Sequence, residues 1–141
     1  MMNSEPSIVS HHTAMIYAMV IVSAADGDMT DAELAAIGEI VRTVPAFNDH
    51  DENRLTATAE DCATLLAGGG GFDTVLGIIA QSVPEKLRET AYALACEIAA
   101  ADLHAEEEEL RVLELLRHRL DVDRLAAAAI ERGVRARHAT L

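Results

Sequence analysis

The chain has 141 residues, the size of a single domain, and half of them are apolar, which is enough for one compact core. Its net charge of −13 argues against nucleic acid as a partner, because no excess of cations is present to displace phosphate counterions. Aromatic residues make up only 3% and Trp is absent, so small and aliphatic side chains must fill the core, which favours helices over sheets.

The sequence predicts a soluble, cytoplasmic protein. Cys62 and Cys96 lie in apolar helical patterns and are expected to be buried thiols in a reducing compartment. Met1 to Pro6 lack the basic start of a signal peptide. The longest apolar run, Ala14 to Val22, is far shorter than the ~20 residues that span a bilayer, so we expect no direct membrane insertion.

The first predicted helix runs from Pro6 to about Ala25. Pro6 suits a first helical turn, since its missing N–H costs nothing there. From Ala14 to Val22 this helix is apolar on every face, which indicates a central helix surrounded by others. Gly27 can end it by adopting a left-handed conformation.

The second predicted helix has a complete start signal. Thr30 can cap it, and Glu33, three residues on, can reach back to the Thr30 N–H. Pro45 stops it. Its inward stripe consists of Leu34, Ile37, Ile40, Val41 and Val44.

The sequence of the middle of the chain predicts two helices joined by glycines. Asn48 or Asp49 is expected to cap a third helix, and Gly68 to Gly71 then break the chain at a joint between hairpins. The glycines lack the Gly-Lys-Ser/Thr that makes a phosphate-binding loop specific. A short helix from about Asp73 to Ser82 follows.

The last part of the chain predicts three more helices. Pro84 opens one that ends near Ala101, a second runs from about Glu106 to Leu120, and Asp123 caps a final one. No segment alternates with a period of two. We therefore predict an all-α, single-domain bundle of about six to seven helices over residues 1–141, with two helical hairpins at about 8–44 and 84–120.

The two hairpins share one motif at an offset of 76 residues. Each copy reads Ala-Asp, six variable residues and Glu-Leu, so that Asp26 and Glu33 of the first copy match Asp102 and Glu109 of the second. The match continues into the flanking apolar positions, where Val22, Ala24, Ile37 and Ile40 correspond to Ile98, Ala100, Leu113 and Leu116.

The recurring acids have both a structural and a functional interpretation. Asp26 and Asp102 follow the carboxyl ends of helices, where the dipole disfavours a carboxylate by about 0.3–1 kcal/mol, so each either bonds turn amides or holds a cation. Glu33 is explained by the Thr30 cap. Glu109 is not, because the residue that matches Thr30 is Glu106, which is a poor cap.

If the hairpins pack about a pseudo-twofold axis, Asp26, Glu33, Asp102 and Glu109 could meet in one place. Four carboxylates so close would repel one another or take up protons unless a cation balanced them. Oxygen ligands suit Mg²⁺, Ca²⁺ or Mn²⁺, and participation of His104 would shift the preference towards Mn²⁺ or Zn²⁺. An EF-hand is excluded, because its sixth loop position is Asp31 rather than Gly. The alternatives are a helical scaffold that docks a basic or membrane protein partner and, more distantly, a metal-dependent enzyme.

The basic residues are concentrated near the end of the chain, with seven of eleven in the last third. Those in the final helix complement its dipole. The functional alternative is contact with an acidic partner or an anionic membrane surface.

With its two Ala-Asp…Glu-Leu motifs, the chain from about Ala14 to Val122 resembles the tellurite-resistance TerB family. The resemblance implies an all-helical domain without established catalysis, linked to tolerance of tellurite and other stress. It also implies a membrane partner of the TerC type, hence a location peripheral to the inner membrane, and metal-binding acids at Asp26, Glu33, Asp102 and Glu109, with Asp28 as a weaker addition. The second motif departs from the family pattern at Leu103-His104, where Gly and a polar residue are usual.

Overall fold

The computed structural model describes residues 8–25, 27, 29–101 and 107–141, and in these ranges the chain forms seven α-helices and no strand, which confirms the predicted all-α class. Short 3₁₀ turns lie at Pro45–Phe47, Glu52–Arg54 and Glu85–Leu87. The helices are α1 (His11–Ser23), α2 (Asp31–Thr43), α3 (Leu55–Ala67), α4 (Gly71–Ser82), α5 (Arg88–Ala101), α6 (Glu107–Arg119) and α7 (Arg124–His138).

Helix α1 is the centre of the bundle, as its uniformly apolar sequence predicts. Every residue from Ala14 to Ser23 is buried. Helices α3, α4, α5 and α6 pack around it. A helix that is apolar on all faces must remove all of them from water, which places it inside the shell that the other helices form.

Helix α5 is the second long contact surface. It packs along α1 on one side, and α7, α6 and α2 also lie against it. Its buried residues include several alanines, Ala91, Ala95 and Ala99, which allow neighbouring helices to approach closely. The motif-bearing ends of α1 and α5 therefore belong to the two most central helices of the fold.

Two predicted helix starts are wrong. Helix α1 begins at His11, where the Ser10 hydroxyl accepts a hydrogen bond from the Thr13 N–H at 3.1 Å, and residues 8–10 are not helical. The expected start at Pro6 lies outside the described residues. The Val9 N–H donates instead to the Ser82 hydroxyl at 3.0 Å, which attaches this segment to the end of α4.

The third helix starts later than predicted. Asp49 adopts a positive φ of 72°, so it ends a turn rather than capping a helix. Asp51 caps the following 3₁₀ turn by accepting from the Asn53 N–H at 3.0 Å, and α3 begins at Leu55. Two successive turns thus separate α2 from α3.

A run of glycines, Gly68 to Gly71, connects α3 to α4. Helix α3 ends at Ala67, and Gly70 has a φ of 94°, which a residue with a Cβ rarely adopts. Helix α4 then begins at Gly71, and Asp73 in its first turn forms an ion pair with Arg119 of α6. The joint therefore reverses the chain so that α4 packs on both α3 and α1.

Two leucines, one in α6 and one in α7, face solvent. Leu110 is 56% exposed and Leu125 is 78% exposed, whereas Leu113, Leu116 and Leu120 are buried.

None of the helices in the described ranges combines the length and the apolar character needed to cross a bilayer.

Candidate functional site

The first copy of the motif is built around a reciprocal cap at the start of α2. The Thr30 N–H and hydroxyl donate to Glu33 Oε1 at 2.9 and 3.0 Å, and the Glu33 N–H donates to the Thr30 hydroxyl at 3.1 Å. This is the capping box that the sequence predicts. Gly27, in the turn before it, has a φ of 135°.

The cap gives Glu33 a structural role without using its whole carboxylate. Both of the hydrogen bonds that Glu33 accepts go to Oε1, so the cap leaves Oε2 available as a ligand. The side chain is half-buried. Asp31 in the same turn is exposed, and both acids lie where the helix dipole favours negative charge.

The second copy places its glutamate in a different environment. Glu109 has no solvent exposure, although it lies in the first turn of α6 beside the exposed Glu107 and Glu108. Helix α6 packs against α1 and α5, so the Glu109 side chain is enclosed at the interior side of that helix. A carboxylate is rarely buried completely unless positive charge or hydrogen bonds compensate it.

The two aspartates of the motif, Asp26 and Asp102, lie outside the described residues, as do Asp28 and His104. Convergence of the four matching acids on one site therefore remains a prediction. Among the residues that the structure does describe, no group of three or more His, Cys, Asp or Glu side chains is arranged to hold a metal ion. Glu33 and Glu109 alone do not form a complete ligand set.

A groove of about 460 Å³ lies between α5, α6 and α7, and charged side chains of Glu114, Arg117 and Arg135 contribute to its lining. It also contains a half-buried hydrogen bond. The Tyr92 hydroxyl donates to Glu131 at 2.6 Å. Burial, together with this carboxylate, raises the pKa of Tyr92, so the phenol stays protonated at neutral pH. The exposed Leu110 forms part of the groove wall.

Neither cysteine is a nucleophile. Cys96 lines the groove and Cys62 lies in α3, and both thiols are buried, as the sequence predicts. Burial raises the pKa of each to about 12. A thiol with such a pKa holds its proton at neutral pH and cannot act as the reactive thiolate.

The end of the basic segment is tied to the core of the bundle. Arg137 donates to Glu97 of α5 at 2.8 Å, and His138 contacts the other oxygen of the same carboxylate at 2.7 Å. Arg124, Arg132 and Arg135 remain on the exposed side of α7.

A cluster of rings that was not predicted from the sequence lies at the start of α1. His12 lies 5.2 Å from His50 and 5.8 Å from Phe47, measured between ring centroids, and His11 lies 4.2 Å from His12. These residues are separated by up to 39 positions, so no local spacing could reveal the cluster. The only signal was the His11-His12 pair itself.

Over the described residues the chain is an all-helical domain in which α2 and α6 both begin with an acidic first turn. Comparison with known families agrees. Residues 12–132 match the family model of tellurite resistance protein TerB, so the chain belongs to the TerB family. No curated protein and no solved structure matches the chain.

Proposed function

We propose that this chain is a non-catalytic TerB domain whose two acidic turns bind a divalent cation, and that cation binding serves tolerance of tellurite and related stress. The observation that supports this most is the complete burial of Glu109. It occupies the position that repeats Glu33, yet no threonine cap precedes it, because the residue that matches Thr30 is Glu106. A capping role therefore does not account for its recurrence.

Burial makes the surroundings of Glu109 decisive for its charge. Enclosing a carboxylate costs several kcal/mol unless hydrogen bonds or positive charge compensate it. The dipole of α6 contributes about 0.3–2 kcal/mol to that compensation at the first turn of the helix. In this proposal, a cation shared with neighbouring acids adds to the compensation that the protein itself provides.

The donor set points to hard cations. Carboxylate oxygens from Glu33 and Glu109, joined by Asp26 and Asp102, suit Mg²⁺, Ca²⁺ or Mn²⁺. If the His104 imidazole also binds, the preference moves towards Mn²⁺ or Zn²⁺. In this proposal, the Thr30 cap holds Glu33 in place while its Oε2 faces the cation.

Calorimetric titration with Ca²⁺, Mg²⁺, Mn²⁺ and Zn²⁺ tests the proposal, together with the shift in thermal midpoint that each ion causes. We expect wild type to bind at least one ion and to gain stability from it, since a ligand that binds only the folded state stabilises it. Glu109→Gln and the double variant Asp26→Asn plus Asp102→Asn should lose binding. Glu108→Gln, an exposed neighbour in the same turn, is the matched control and should bind normally.

The second candidate is a purely structural scaffold whose acidic surface docks a basic or membrane protein partner, such as a TerC-type protein on the cytoplasmic face of the inner membrane. The Thr30–Glu33 cap and the net charge of −13 favour it. This candidate replaces the first if wild type shows neither heat nor thermal stabilisation with any of the four ions. Ion-dependent turnover of a phosphate or peptide substrate would instead establish a metal-dependent enzyme.

A further inference from the structure

The histidine cluster, which consists of His11, His12, His50 and the Phe47 ring, joins two segments that are far apart in sequence. His11 and His12 begin α1, whereas Phe47 and His50 lie in the connection from α2 to α3. The His12 and His50 rings meet edge to face at an interplanar angle of 85°, and the Phe47 and His50 rings meet at 79°. Ring packing therefore holds the connection against the start of the central helix.

The cluster is suited to neutral rings. Phe47 is only 3% exposed, and His50 Nδ1 is buried without a hydrogen-bond partner. An unpartnered buried nitrogen is tolerated as a neutral acceptor far better than as a charged donor, because desolvation of a charge is costly. A proton on Nδ1 would need a hydrogen-bond acceptor, and the closed arrangement gives this nitrogen none.

Burial is the largest influence on the pKa of both His12 and His50, and it disfavours the protonated ring. Burial is the largest cause that lowers the pKa of His12, and the neighbouring His11 and His50 lower it further. A hydrogen bond to the Ala46 backbone and the charge of Asp49 raise it in part. Burial likewise lowers the pKa of His50. Asp51 raises that pKa and Arg54 lowers it.

We propose that the histidine cluster is an acid-sensitive latch, which holds residues 45–54 against the start of α1 at neutral pH and releases them when the rings take up protons. Two cationic rings with centroids 5.2 Å apart beside a buried phenyl ring repel each other and need water. Release gives both rings access to solvent. It also exposes Phe47 and the amino-terminal end of α1, a surface that is closed at neutral pH.

The direction of the pH effect follows from linkage. In the open segment a histidine has its ordinary pKa near 6.5, and in the closed cluster the pKa values of His12 and His50 are lower. The open form therefore binds protons first as the pH falls, so closure weakens from about pH 6.5 downwards until the lower pKa values are passed. Most carboxylates protonate near pH 4, so the range from pH 7.5 to 5.5 isolates the histidines.

Hydrogen exchange of wild-type protein at pH 7.5 and 5.5 tests the latch, with rates corrected for intrinsic exchange and a chelator present to exclude metal effects. Protection of residues 45–54 should fall roughly threefold to tenfold, a change that corresponds to no more than about 1.4 kcal/mol. Helix α4, which contains no histidine, should keep its protection and serves as the internal control. Unchanged protection of residues 45–54 would overturn the proposal.

Titration of the His12 ring by nuclear magnetic resonance provides a second, independent readout. In His50→Gln the pKa of His12 should rise relative to wild type, because one of the like charges that lowers it has been removed. The exposed His118 offers a matched control, and His118→Gln should leave the titration of His12 unchanged. An unaltered His12 pKa in His50→Gln would show that the rings are not coupled and would contradict the latch.

Discussion

The two acidic helix starts, at α2 and α6, share a sequence motif but hold their glutamates in different ways. Glu33 is half-buried and closes a reciprocal cap with Thr30, whereas Glu109, in the first turn of α6, has no solvent exposure. The first arrangement is local, since it involves residues three apart. The second depends on how three helices pack, so a duplicated motif does not imply duplicated roles.

The glutamate of the first copy caps a helix, whereas the glutamate of the second copy is a buried charge. A capping glutamate stabilises the start of its own helix. An enclosed glutamate instead constrains its surroundings, because groups near it must compensate its charge or lose stability. Single substitutions at Glu33 and Glu109 should therefore lower the free energy of unfolding by different amounts.

Glu109→Ala should have the largest effect. The substitution leaves a cavity and removes the acceptor from the groups around Glu109, so we expect a loss of about 2–4 kcal/mol in the free energy of unfolding. Urea denaturation measures it. Glu108→Ala, an exposed neighbour, should stay within about 0.5 kcal/mol of wild type. Equal losses at the two positions would remove the distinction between enclosed and exposed acids.

Thr30→Ala should have an intermediate effect. It removes the hydroxyl that accepts from the Glu33 N–H, and loss of an N-cap costs about 0.5–2 kcal/mol. Thr30→Ser keeps a hydroxyl in the same place and should retain most of the stability. If the serine variant is as destabilised as the alanine variant in urea denaturation, the cap is not what holds Glu33.

Glu33→Gln should have only a small effect on stability, and it separates the capping role of Glu33 from its proposed role as a metal ligand. The amide oxygen of Gln can still accept from the Thr30 N–H and hydroxyl, so the unfolding free energy should change by less than about 0.5 kcal/mol. Cation affinity should nevertheless fall, because a charged ligand has been lost. Unchanged affinity in a calorimetric titration would mean that Glu33 acts only as a cap.

Most of the fold could be predicted because its signals are local or periodic. The apolar run of α1 predicted its central position, and the Thr30–Glu33 spacing predicted the cap, since both depend on neighbours within a few residues. The start of α3 could not be predicted, because Asp49 adopts a left-handed conformation and two 3₁₀ turns intervene.

The candidate site was less predictable, because the burial and the contacts of its residues depend on how distant parts of the chain pack together. The repeat singled out Glu109, but its enclosure depends on how α6 packs on α1 and α5, which no spacing encodes. The same holds for Leu110, which continues the apolar pattern yet is exposed at the groove. The histidine cluster was missed for the corresponding reason, since His12 and His50 meet only in the folded chain.

Paramagnetic Mn²⁺ can test whether one divalent cation binds both acidic helix starts, as we propose. Substoichiometric Mn²⁺ added to labelled protein broadens the amide signals of residues close to the ion. We expect selective broadening of the amide signals at the start of α2, residues 31–34, and at the start of α6, residues 107–110. This broadening should disappear in Glu109→Gln. Broadening confined to one of these turns, or spread evenly over the acidic surface, would contradict it.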